Sequence, residues 1–177
     1  MQFTINKRKV IDYFESRIYN GGGDFMDNFM KHNFTISEIT FANIVKAGTG
    51  AKIHKNRKSH GLAIFLGGER IFYFEDKKMN VRGNTIVYFP KGSNYIIKEK
   101  IPFDCYAINF EMPDGFCFEP FAFKIKNANT YLENFKQSQK QQIRKNTGYD
   151  SKIKSELYNI IYTMQTEYNL PYTNSKI

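Results

Sequence analysis

Short apolar runs of strand length dominate residues 34–126 of this 177-residue chain. FTISEITF (34–41), LAIFL (62–66), IFYFE (71–75), TIVYF (85–89), NYIIKE (94–99) and CYAINFEM (105–112) are rich in β-branched and aromatic residues, the composition of strands. Turn signals separate them at Gly67-Gly68, Asp76-Lys77, Arg82-Gly83, Pro90-Lys91-Gly92, Pro102 and Pro113-Asp114-Gly115. Such marks at intervals of roughly 7 to 13 residues set the rhythm of an all-β sandwich or barrel.

From residue 127 the period changes. Ala128, Tyr131, Leu132 and Phe135 recur at helical spacing. Gly148 interrupts the pattern, and Asp150 or Ser151 offers a cap for a second helix. That helix carries Ile153, Leu157, Ile160, Ile161 and Met164 on one stripe, which needs a partner surface. The expected fold is therefore mainly β with C-terminal helices: a β domain over 34–126 and a two-helix hairpin over 127–170. Residues 1–33 read as an arm. Val10, Phe14 and Ile18 suggest a short helix within it, and Gly21-Gly22-Gly23 suggests an elbow. Residues 171–177, after the helix-ending Pro171, read as the start of a linker.

Composition adds a little to this picture. The chain holds 17 Phe, 12 Tyr and no Trp. Tyr in quantity lines pockets or interfaces, since it offers apolar area and a hydroxyl together. The net charge is +9. Lys124–Glu156 contain eight Lys/Arg against three Asp/Glu, so +5 of that excess lies in this one stretch. A basic run of this kind is a solvated helix face or a surface held near a polyanion. Cys105 and Cys117 do not make a disulfide framework. The N-terminus has no apolar core of a secretory signal, and no apolar run approaches the ~18 residues of a membrane span. A cytoplasmic protein without membrane contact is expected.

The candidate chemistry lies on the strands. By period two, Cys105, Ala107 and Asn109 share one face, and Tyr95 shares another with Ile97. Tyr106 and Ile108 point the other way, toward the helices. A nucleophile elbow, a phosphate-binding glycine loop and a paired-carboxylate signature are all missing from the sequence, so a non-enzymatic domain without cofactor is expected. The polar positions resemble those of a cupin, a double-stranded β-barrel (jelly roll) whose metal form uses a His-x-His pair, an acid and a further His. Here His54 and Asn56 stand at the pair, His60 at the acid and Tyr95 at the last His. Two histidines without a carboxylate make a poor site for iron, manganese or zinc. With Asn56 and Tyr95 they instead give a polar wall that hydrogen-bonds a small organic ligand.

The order HGLAIFLGGERIFYF, RGNTIVYFPKGSNYIIKEK, CYAINFEM, KIKNANTYLENFKQ and GYDSKIKSELYNIIYTMQTEYN resembles the N-terminal effector-binding domain of AraC-family transcriptional regulators, over about residues 40–175. The resemblance implies a cupin-like barrel that binds a small-molecule effector, a carbohydrate in many members. It implies a pocket at His54, Asn56, His60, Tyr95, Ile97, Cys105, Ala107 and Asn109. It also implies a homodimer through Leu157, Ile160, Ile161 and Met164, and DNA contact only through a helix-turn-helix domain outside this chain. Two other readings stay open: a metal-dependent cupin enzyme acting on a sugar or small organic acid, with metal at His54 and His60, and a dimerisation module whose β domain is simply filled.

Overall fold

A computed structural model describes residues 24–113 and 116–169. The expected helix at 9–19, the glycine elbow and the expected linker lie outside the described residues. A short helix, α1 (Asp24–Met30), leads into nine strands: β1 (Glu38–Val45), β2 (Ala51–His54), β3 (His60–Phe65), β4 (Glu69–Phe74), β5 (Lys78–Arg82), β6 (Thr85–Phe89), β7 (Tyr95–Ile101), β8 (Cys105–Glu111) and β9 (Phe121–Lys124). Two long helices follow, α2 (Ala128–Arg144) and α3 (Tyr149–Asn169).

The strands form two antiparallel sheets, ordered β1-β8-β3-β6-β9 and β2-β7-β4-β5. The pairs β1·β8, β2·β7, β3·β6 and β4·β5 are nested, so the first eight strands are one long hairpin wound across two layers. This is the jelly-roll topology. The sheets do not close on each other: each keeps its own edges, and the expected barrel is a two-sheet sandwich.

The larger sheet is covered on both faces, which is why β3 and β6 are buried at every position. Toward the smaller sheet it presents Ala63, Phe65, Val87, Phe89, Cys105 and Ala107, which meet Phe72, Phe74, Val81 and Tyr95. On the other face Leu62, Ile64, Tyr88, Ile108 and Phe110 pack against α2 and α3. Alternation of side chains across a pleated strand divides the two cores.

The helical layer is held by its apolar stripe and by polar ties. Tyr131 and Phe135 of α2 are buried, as are Ile153, Leu157, Ile160, Ile161 and Met164 of α3. The Ile36 amide donates to Tyr158 Oη over 2.9 Å, and Gln139 Nε2 donates to Asn43 Oδ1 over 2.9 Å. Asn127 caps α2 by accepting from the Asn129 amide.

Two expectations change here. Leu157, Ile160, Ile161 and Met164 are between 0% and 2% exposed within a single chain. They are the seam between α3 and the larger sheet, so they are not available as a dimer surface; an amphipathic stripe needs a partner, and this chain supplies its own. Residues 24–33, expected as part of a free arm, are docked: Phe29 and Met30 of α1 lie in the core, with the Phe29 ring 5.0 Å from that of Tyr88.

Candidate functional site

A cavity of about 260 Å³ lies between the two sheets. Apolar walls come from Phe41, Phe65, Phe72, Phe89, Ile97 and Ala107. Lys46, Lys52, His54, Arg57, Arg70 and Glu99 supply the charged and titratable groups.

Arg57 is the polar centre of this space. Its Nη1 donates to Tyr95 Oη over 2.9 Å and its Nη2 to Asn109 Oδ1 over 2.6 Å. Tyr95 opens β7 of the smaller sheet and Asn109 lies on β8 of the larger, so one guanidinium ties the sheets across the cavity. The same guanidinium carbon stands 5.1 Å from the centroid of the Phe89 ring, within range of a cation–π attraction. Arg57 Nε is buried and has no hydrogen-bond partner. Among the described residues, no carboxylate forms an ion pair with Arg57.

The local chain explains why Arg57 sits there. The Arg57 amide donates to Ser93 O over 3.1 Å, and the Gly92 amide donates to Arg57 O over 2.7 Å. Asn56, at φ 47°, donates its amide to Asn94 Oδ1 over 2.9 Å. The Pro90–Asn94 turn thus clamps the loop that carries Arg57. Gly92 at φ 80° provides the left-handed residue this turn requires. The turn links β6 and β7, which belong to different sheets, so it marks a crossing between layers.

Arg70 is a buried cation, and it is paired. Its Nε lies 3.4 Å from Glu99 Oε2, its Nη2 donates to Phe103 O, and its guanidinium covers the Phe65 ring at 4.5 Å. Burial pushes the Glu99 carboxyl above the usual range, against the pull of Arg70 and Lys52. Lys46 pairs with Asp104 at 2.7 Å. Lys52 forms no ion pair among the described residues.

Of the expected pocket residues, His54, Tyr95, Ile97, Cys105, Ala107 and Asn109 line the cavity. The His54 ring stacks on Tyr95 at 4.7 Å and 14°. Desolvation, then Arg57 and Lys52, hold its pKa below the ordinary histidine value, so it is neutral at pH 7. Burial pushes the Cys105 thiol up to about 11; it stays protonated and acts as a small apolar wall. Burial likewise raises Tyr95.

Asn56 and His60 do not line the cavity. Asn56 is an exposed turn residue. His60 shares its strand face with Leu62 and Ile64, toward the helices, and stacks on Tyr88 at 6.1 Å. The Lys91 amide donates to His60 Nδ1 over 3.2 Å, so that nitrogen carries no proton. Tyr88 Oη, 2.9 Å away, must then be a donor to it as well. Burial lowers the His60 pKa to about 4, so the ring is neutral and structural. His54, at the end of β2 in the smaller sheet, lines the cavity, whereas His60, on β3 of the larger sheet, points away from it toward the helices, so the two cannot converge on one ion. Among the described residues no cluster of three or more His, Cys, Asp or Glu could hold a metal, and the residues present do not fit the metal of a cupin enzyme.

Arg57, Arg70 and Glu99 are site residues that the sequence pattern does not single out. Arg57 lies in the polar run KIHKNRKSH, which reads as loop. Its one sequence signal is Gly61, four positions on, whose missing side chain leaves room for the guanidinium.

No family model matches this chain, and no curated protein matches it. Among solved structures, a cupin-superfamily protein from Desulfitobacterium hafniense DCB-2 aligns at TM-score 0.33 and 14% identity, over 45% of this chain and 79% of that one. ToxT from Vibrio cholerae O395, bound to (E)-4-(8-methylnaphthalen-1-yl)but-3-enoic acid, aligns at TM-score 0.34 and 8% identity, over 44% of this chain and 32% of ToxT. A cupin-2 domain protein from Shewanella frigidimarina NCIMB 400 aligns at 0.33 and 18%, over 54% and 96%. This chain spans about a third of ToxT's length. Similarities this low carry no argument; the architecture stands on the strand order alone.

Proposed function

We propose that this chain is a small-molecule-sensing domain of a transcriptional regulator, with its DNA-binding helix-turn-helix part carried outside the sequence described. One observation carries the reading: a partly open cavity between the sheets, walled by aromatic rings and crossed by an arginine. Such concave, mostly apolar spaces with a few fixed polar groups are the usual form of ligand sites. The groups around it suit binding and not turnover. The thiol is protonated, and among the described residues the His54 ring stacks on Tyr95 and makes no ion pair.

The order of elements supports the regulator part of the reading, since jelly roll followed by two helices repeats the pattern of the resemblance. A sensor works only if ligand binds one arrangement of the protein better than another. Arg57 couples both sheets, so a ligand that recruits it acts on the sandwich as a whole. The test is the thermal midpoint of the chain against sugars, sugar phosphates, organic acids and divalent metals, with and without chelator. A rise with one organic class, indifferent to chelator, is expected, because binding to the folded state alone raises stability. A rise with metals only, reversed by chelator, overturns the proposal.

A further inference from the structure

We infer that the ligand of this cavity is a monocarboxylic acid with a compact apolar body, its carboxylate seated on the Arg57 guanidinium. This deepens the sensing role proposed above and rests on it.

Arg57 is half-buried, with its Nε fully covered, and a cation drawn out of water in this way is normally paired. Arg70 has Glu99 at 3.4 Å, whereas the acceptors on Arg57 are both neutral, Tyr95 Oη and Asn109 Oδ1. Among the described lining residues, Lys46, Lys52, Arg57 and Arg70 stand against Glu99, so the lining carries excess positive charge, although Lys52 itself is exposed. An occupant that supplies the missing negative charge is favoured.

A guanidinium has five N–H donors in a planar fork. Tyr95 and Asn109 take one each, and the Nε–H is buried without an acceptor. A buried polar group left without a partner calls for an explanation. A carboxylate answers it, because its two oxygens match adjacent N–H groups of the fork.

About 260 Å³ has room for roughly nine waters at ~30 Å³ each, hence a ligand of roughly ten non-hydrogen atoms. Phe41, Phe65, Phe72 and Ile97 offer such a molecule apolar contact and few hydrogen bonds. A free sugar would leave most of its hydroxyls unpaired there.

The experiment is calorimetric titration of the 177-residue chain with 3-phenylpropanoate, its neutral amide 3-phenylpropanamide, phenyl phosphate, glucose and arabinose. The acid should bind, and the amide should bind roughly 10- to 100-fold more weakly, the value of a charge-assisted hydrogen bond. Arg57→Gln should remove the difference between acid and amide, and Arg57→Lys should restore part of it. If Arg57→Gln fails to fold, the acid–amide comparison on the unaltered chain decides. Equal affinity for acid and amide, tighter binding of either sugar, or tighter binding of the phosphate each overturns the carboxylate assignment while leaving the cavity a ligand site. Failure of every compound to bind overturns both this inference and the sensing role.

Discussion

Gly61 leaves the space that the Arg57 guanidinium fills: a Cβ at residue 61 would fall 2.4 Å from Arg57 Nη2 and 2.7 Å from Asn109 Oδ1. Gly61 sits on β3 with its open face toward the cavity, next to Ala63 on the same side. Both atoms it would strike are ends of side chains, so the strand itself need not move.

Gly61→Ala should therefore unseat Arg57 more than it unfolds the protein. The two hydrogen bonds to Tyr95 and Asn109 would be lost together, at a cost of about 1–2 kcal/mol after the side chains rehydrate. Urea denaturation would measure that cost. Any ligand found for the cavity should weaken as much for Gly61→Ala as for Arg57→Gln. Undiminished binding by Gly61→Ala would show that the guanidinium position does not matter.

His60 makes stability depend on pH. Its folded pKa is about 4, below the ordinary histidine value of 6.5, because the ring is buried beside Tyr88 with Lys91 and Arg57 nearby and only Glu111 opposing them. In the unfolded chain the ring binds a proton below pH 6.5; in the folded chain it does not until about pH 4. The unfolded state then holds more protons between those limits, and stability falls as pH is lowered through them. The full loss is about 3 kcal/mol. His60→Gln should flatten this segment of the curve, with a lower plateau at pH 7 if Tyr88 is left less well partnered. Urea midpoints at pH 7 and pH 4.5 for both proteins test it; equal pH sensitivity would remove His60 as the cause.

The buried pair of Arg70 and Glu99 should behave asymmetrically. Their side chains are 6% and 4% exposed. Arg70→Met leaves a buried carboxylate without its cation and should cost about 3–5 kcal/mol. Glu99→Gln should cost less, because burial already favours the protonated carboxyl. The double variant Arg70→Met/Glu99→Leu should recover most of the loss, since apolar replacement of a buried pair is often close to neutral. Chemical denaturation of the three variants gives the comparison. A double variant as unstable as Arg70→Met alone would refute this account.

The sequence pattern announces strands best where burial is strongest. β3, β4 and β6 are nearly all apolar because at least one of their faces meets a dense core, and their runs stand out. β2, β5 and β9 do not stand out, and all three are sheet edges. Ala51–His54 is exposed or half-buried, and Lys78–Arg82 has polar residues at three of its five positions. Edge strands carry polar residues and need few apolar ones. The candidate site divides in the same way. Tyr95, Ile97, Cys105, Ala107 and Asn109 follow from strand periodicity and do face the cavity. His60 carries the right chemistry on the wrong face, since its strand turns alternate side chains to opposite cores. Arg57 lies on no strand, and its place depends on backbone bonds to the Pro90–Asn94 turn, which no periodicity encodes.

The α3 stripe gives the last test, of what an amphipathic helix does here. Leu157 is fully buried against the larger sheet within one chain. Leu157→Ala should cost about 2–5 kcal/mol of unfolding free energy through lost transfer energy and a residual cavity. It should leave the oligomeric state of the folded protein, measured by sedimentation, the same as that of the unaltered chain. Tyr162 is on the outward side and is 67% exposed. Tyr162→Ala should change folding stability by less than about 0.5 kcal/mol. If Leu157 instead formed a seam between two copies, Leu157→Ala would weaken association and leave the unfolding of the single chain unchanged. The two assays read opposite signatures for core and interface, because a core residue acts on the chain that carries it and an interface residue acts only when a second chain is present.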